Sequence, residues 1–308
     1  MAPDRVEDEG APSWMTSLCG WIDANLGRFL PARCEGHERA PFERYKAVGE
    51  LAMALYAIAP LERSCRTAVA PLIARVGRML DDEALAIDWD LWREAGTGSR
   101  FHAISLTPFV LLAALQGRSL PQQIADAVAV SGDARIMDLY LLRTVLGLSA
   151  DPEPLVSRMA QIAAQLDSGA ALGAPALYDL THTALYLSVL GRRIPDVPQG
   201  IAMALLGHLT RLMQDRLRLK DYDLAAELLV AYIVLRGRAD TSCAASCREL
   251  IAAINEDGSV AGPPWMCAVS GDDFEASYHT TLVVLMALCF GDLPLVATAP
   301  FPLPKEGV

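Results

Sequence analysis

One pattern recurs along the chain: a polar residue, an apolar run, and a closing glycine. Its clearest copy is FEASYHTTLVVLMAL, Phe274 to Leu288, in which polar groups stand only at the start. A helix that is apolar on nearly every side has to be buried, so this stretch belongs inside an all-helical core. Aligned on their glycines, the copies place Asp138 ahead of Gly147, His182 ahead of Gly191, Glu227 ahead of Gly237 and His279 ahead of Gly291. The leading residues stand 44, 45 and 52 residues apart. One amphipathic stretch lies between successive copies, such as Pro152 to Leu166 or Ser242 to Ile254. A period of about 45 residues suits two helices and two connections, the unit of a helical-repeat fold.

Alternation of apolar with amphipathic helices predicts two shells. The expected fold is all-α: an α/α toroid, a double-shelled barrel whose inner ring is the apolar set. An open helical solenoid is the alternative. In the barrel, the inner helices all begin at one mouth. Asp138, His182, Glu227 and His279 then converge, with Asp179, Asp223 and Glu275 about one turn earlier on their helices. Helices are predicted over Pro12–Leu30, Phe42–Ile58, Leu61–Leu80, Asp81–Glu94, Ser105–Leu115, Pro121–Val130, Arg135–Leu148, Pro152–Leu166, Pro175–Leu190, Gly200–Leu219, Asp221–Leu235, Ser242–Ile254 and Phe274–Phe290. No run alternates like a strand. Residues 1–11 are expected to be disordered, 12–292 to form a single domain, and 293–308 to be an extended proline-rich tail.

Composition narrows the partners. The chain is 53% hydrophobic but only 6% aromatic, which reflects Ala and Leu and favours helices. Acidic residues number 37 against 26 basic, a net charge of −11, so long-range attraction to nucleic acid or anionic lipid is not expected. The basic group Arg211, Arg216, Arg218 and Lys220 reads as a solvated helix end. No window reaches about 18 uninterrupted apolar residues, so no membrane span is predicted. Seven cysteines and an acidic, polar start point to a reducing, cytoplasmic setting. The sequence gives no oligomeric state.

A mouth lined by carboxylates and imidazoles above an apolar ring suits either a divalent metal, zinc or iron, or direct acid–base chemistry. The candidate catalytic residues are His182, His279, Glu227, Asp138 and Cys267. The candidate metal ligands are His182, His279, Glu227, Asp223, Asp179 and Glu275. Helix N-termini carry partial positive charge, which is expected to keep these histidines neutral and the acids ionised, as ligation requires. Each residue also has a plainer reading. Asp179 and Asp223 suit N-caps. Tyr178, Tyr222 and Tyr278 suit hydrophobic staples or core. His208 suits a structural role. Cys267, in the long Asn255–Asp273 interval, needs an adjacent base to act as a nucleophile, and His279 is the expected one. His102 points toward the same mouth. Cys34 and His37 lack the second pair that a metal site needs. Ala95 to Arg100 carries a GTGS without a preceding strand or a third glycine, so it is not a dinucleotide fingerprint.

The segment Asp272 to Thr280, DDFEASYHT, resembles the late inner helix of protein prenyltransferase β-subunits, where an aspartate turn leads into Tyr-His-Thr and the histidine binds zinc. The NEDGS turn with the nearby GPPW is similar to the Asp-Gly-Ser turns of that family and of the terpenoid cyclases. Both families are α/α toroids. The resemblance implies that His279 is a zinc ligand. The chain departs from it at Asp221-Tyr222-Asp223, which stands where the family has Asp-x-Cys. The acid motif of the class II cyclases and the Gln-Trp repeats are also absent. The His-Thr-x-Leu helices are similar to uncharacterised proteins encoded beside bacterial natural-product pathways. The expected function is therefore an enzyme of bacterial secondary metabolism, a lyase, cyclase or transferase. Its substrate is a small, largely apolar molecule or one borne on a peptide or carrier. A non-catalytic helical-repeat binding module is the alternative, and a terpenoid cyclase or prenyltransferase relative is a third reading.

Overall fold

The computed structural model describes residues 11–30, 45–61, 63–80, 104–120, 122–130, 136–263 and 272–291. Among these the chain forms thirteen α-helices and no strand. In order they are α1 (Ser13–Ala24), α2 (Leu26–Phe29), α3 (Lys46–Ile58), α4 (Arg63–Leu80), α5 (Thr107–Gln116), α6 (Gln122–Val130), α7 (Ile136–Val145), α8 (Glu153–Asp167), α9 (Ala174–Leu187), α10 (Gln199–Arg218), α11 (Tyr222–Arg236), α12 (Thr241–Ala252) and α13 (Asp273–Gly291). The all-helical expectation holds. The helix predicted over Asp81–Glu94 and the two expected termini, 1–11 and 293–308, fall almost wholly outside the described residues.

Local chemistry explains the helix ends. Asp221 caps α11, its side chain accepting from the Leu224 amide at 3.3 Å. Asp240 caps α12 in the same way through Ser242. Proline occupies the first turn of α5, α8 and α9, where a missing N–H costs no hydrogen bond. Gly147 and Gly237 have φ of +70° and +76°, the left-handed geometry that ends a helix, whereas α9 is closed by Val189 at +52° and Gly191 follows two residues later at +78°. Gly291 does not share it and is the last residue of α13.

Burial sorts the helices into two kinds. On α11 every residue from Asp223 to Leu235 is buried, and α13 is buried almost throughout. By contrast, α10 buries only Leu205, Leu209, Met213 and Leu217, one stripe at four-residue spacing. The more apolar helices pack on one another in order: α3 on α5, α5 on α7, α7 on α9, α9 on α11, α11 on α13, and α13 back on α3. The one-striped kind pack against them. Thus α8 rests on α7 and α9, α10 on α8 and α11, α12 on α11 and α13, and α1 on α4 and α13.

One helix, Asp273–Gly291, is long and apolar enough to cross a membrane, and 78% of its apolar window is buried inside the fold. That burial accounts for its composition, because a central helix needs apolar residues on every side.

The start of the long interval after α12 is ordered rather than loose. Asp257 Oδ1 accepts from the amide of Ser259 at 2.9 Å and from its hydroxyl at 2.7 Å. The Val260 amide donates to Thr281 Oγ1 of α13 at 2.9 Å. Gly258 has φ of +90°, and a Cβ there would lie 2.2 Å from the Ser17 carbonyl oxygen on α1. Only glycine fits both constraints.

Candidate metal centre

Helices α3, α9, α11 and α13 bring polar residues to one place, His182 from the middle of α9 and His279 from the second turn of α13. Glu227 of α11 is at the middle of this group. Its Oε1 lies 3.2 Å from His182 Nε2 on α9 and 3.2 Å from His279 Nε2 on α13. Its Oε2 accepts from the Thr181 hydroxyl. One turn earlier, Asp223 Oδ1 lies 3.8 Å from His279 Nε2 and accepts from Thr280 Oγ1 at 2.8 Å. Asp223 Oδ2 accepts from the Tyr178 hydroxyl at 2.5 Å. The second ring nitrogen of His279, Nδ1, faces Glu50 Oε2 of α3 at 3.2 Å. Lys46 Nζ lies 3.6 Å from the other oxygen of Glu50.

Three acids and two imidazoles buried together must share protons. Burial alone disfavours an ionised Glu227, but the two histidines outweigh it and hold this carboxyl well below the usual range. Glu50 behaves alike: burial opposes its charge, and His279 and Lys46 pull it down to about 2. Asp223 goes the other way. Burial raises its pKa, and neighbouring Glu227 adds to the rise, while His279, Tyr178 and Thr280 only partly offset them. For His279, burial opposes the charged ring, yet the carboxylates of Glu50, Asp223 and Glu227 raise its pKa well above the ordinary histidine value. This corrects the expectation of a neutral imidazole: nearby full charges outweigh the partial charge of a helix end. Burial and the adjacent acids push both Tyr178 and Tyr278 above the normal phenol range.

The geometry suits a cation. Ligand atoms of Asp223, Glu227 and His279 all lie within 4.8 Å of one another, so these three could hold a metal ion. Two ligands on a tetrahedral ion with bonds near 2.1 Å stand about 3.4 Å apart. The 3.2 Å and 3.8 Å separations from His279 Nε2 bracket that value. No cysteine belongs to this group.

The remaining candidates have separate surroundings. His182 joins through Glu227 and sits between Tyr178 and Tyr186 along α9, its ring centroid 6.1 Å and 6.2 Å from theirs. Asp138 is buried in the first turn of α7. The carboxylate of Asp179 pairs with Arg158 on α8. Glu275 is exposed on the first turn of α13. His208 bonds Asp167 at 2.8 Å, which fits the structural role expected of it. Cys267, His102, Cys34 and His37 lie outside the described residues.

Sequence reasoning missed Glu50 and Lys46. Both are charged residues on the helix predicted over Phe42–Ile58, where charge suggests a solvated face, yet the Glu50 side chain is only 15% exposed. Thr181 and Thr280 were visible next to each histidine but were given no role. Tyr178, expected to be staple or core, is a hydrogen-bond donor to the site.

No curated protein and no solved structure gives a match. The model of one family, a domain of unknown function designated DUF6895, matches residues 15–289, which span α1 to α13 and every residue of the site, and the chain belongs to that family.

Proposed function

We propose that the chain is an α/α toroid enzyme that binds a zinc or ferrous ion at its mouth through Asp223, Glu227 and His279. The observation that carries this reading is the cluster of three ligand groups within 4.8 Å, two buried and one partly buried. The unbroken order of contacts from α3 through α13 and back to α3 supports a closed inner ring over an open stack. A mixed imidazole and carboxylate set without a thiolate suits zinc or iron better than the hard ions, which prefer all-oxygen sites. Three protein ligands leave a position open, and a metal there supplies Lewis-acid polarisation of a bound oxygen.

The protein groups have their own tasks. Glu227 and Asp223 carry the negative charge that holds the ion. Thr181, Thr280 and Tyr178 fix the carboxylate orientations by donating to them. His182, beside Glu227 and 28% exposed, is placed to exchange a proton with a substrate at the open side. The apolar inner ring beneath suits a small, largely apolar substrate, or the end of one carried on a peptide or carrier protein. A lyase, cyclase or transferase of secondary metabolism fits that chemistry.

The test is metal analysis of the purified chain followed by zinc and ferrous titration. About one ion per chain, lost in His279→Ala and Glu227→Gln, is the expected result. Absence of uptake of either ion rejects the metal and leaves acid–base work by His182 and Glu227. The binding-module alternative predicts scattered acids, and their clustering around Glu227 favours the enzyme.

A further inference from the structure

Glu50 touches His279 on the side of the ring away from the other acids. Its Oε2 and the imidazole Nδ1 are 3.2 Å apart. Both atoms are sealed from solvent, and neither makes a hydrogen bond of good geometry to any described group, each other included. At 3.2 Å the two form a close ion pair inside the fold, not an aligned hydrogen bond. The opposite nitrogen, Nε2, faces Glu227 and Asp223 at 3.2 Å and 3.8 Å. Glu50 is itself held by Lys46, whose Nζ lies 3.6 Å from Oε1.

We propose that Glu50 is a positioning residue that keeps the Nδ1 proton of His279 in place, turns the ring, and leaves Nε2 free to ligate the metal. The inference rests on the metal reading above. A carboxylate behind a ligating histidine fixes its tautomer and raises its donor strength. It also limits rotation of the ring, because moving Nδ1 away would strand a buried carboxylate oxygen. The constraint crosses from α3 to α13, so the ligand on one helix is aimed by an acid on another.

The experiment compares the wild-type chain with Glu50→Gln and Glu50→Ala. Zinc affinity is read by competition with a chelating dye, and bound Co(II) reports ligand geometry through its visible absorption. Removing such a supporting group typically weakens metal binding about ten- to hundred-fold. Glu50→Ala is expected to show that loss with a changed Co(II) band. Glu50→Gln keeps an acceptor of the same shape and is expected to fall between alanine and wild type. A purely structural Glu50 lowers thermal stability but leaves the affinity of the folded protein and the Co(II) band unchanged, and that result overturns the proposal. Should the alanine variant fail to fold, the isosteric glutamine variant decides. If wild type binds neither zinc nor Co(II), the metal reading fails first, and the positioning role falls with it.

Discussion

Tyr178 donates its hydroxyl hydrogen to Asp223 across the space between α9 and α11, at 2.5 Å. Burial already opposes ionisation of Asp223. Removing this donor leaves a buried oxygen with less compensation, which typically costs about 1–3 kcal/mol. Tyr178→Phe is expected to lower unfolding stability by that order in urea titration and to weaken zinc uptake. A variant as stable as wild type would show that the bond contributes nothing net.

Stability of the metal-free chain should have two limits in pH. Glu227 and Glu50 ionise well below their unfolded range, so their contribution is present above about pH 4.5 and is lost as acid protonates them. For Glu50, a move from 4.5 to about 2 corresponds to roughly 3 kcal/mol at neutral pH. His279 titrates above 6.5 in the folded chain, so its contribution is complete below that pH and is lost as pH rises through the raised value. Denaturation midpoints across pH are expected to be highest between these limits. In His279→Gln the alkaline decline should shrink.

Metal binding should release protons. The acids around His279 favour its doubly protonated ring, and ligation through Nε2 requires the proton there to leave while Nδ1 keeps its own. Zinc titration calorimetry in buffers of different ionisation enthalpy is expected to give about one proton released per ion near neutral pH. The same zinc, at a free concentration about a hundredfold above Kd, should stabilise the fold by about 2.7 kcal/mol. Binding with no buffer dependence would contradict the charge state of the site.

Asp179 and Asp223 make a direct contrast. Asp179 forms a partly exposed pair with Arg158, the kind of interaction worth about 0–1 kcal/mol. Asp179→Ala is expected to leave zinc affinity unchanged, whereas Asp223→Asn should reduce it about tenfold or more.

Gly258→Ala tests the turn packed against α1. A Cβ at Gly258 would lie 2.2 Å from the Ser17 carbonyl oxygen, and φ is +90°. Loss of about 1–3 kcal/mol or more is expected by chemical denaturation.

Most of the scaffold was readable from periodicity, because apolar-all-round and one-striped helices differ in pattern. Glu227, His182 and His279 were found because the repeat aligned them. Asp179 was misleading for a geometric reason. It stands three residues before His182, while Asp223 stands four before Glu227, and on a helix those offsets diverge by about 100°. Asp179 thus meets α8, and Asp223 meets the site. Glu275 has the favourable offset of four, yet it lies exposed at the rim, whereas Tyr178 and Thr280 enclose Asp223 from both neighbouring helices. Glu50 could not be found by the repeat, since α3 lies outside the four aligned copies. Only the packing of α13 on α3 turns its apparently solvated face inward.

The seam between α3 and α13 also dictates when during its own synthesis the buried acid and imidazole cluster is completed. Glu50 emerges from the ribosome early and waits for His279, which emerges late. Closing so long a loop is entropically slow. A nascent chain still lacking α13 carries the acids of the cluster without their main cationic partner, so this seam is where newly made molecules are most in need of protection.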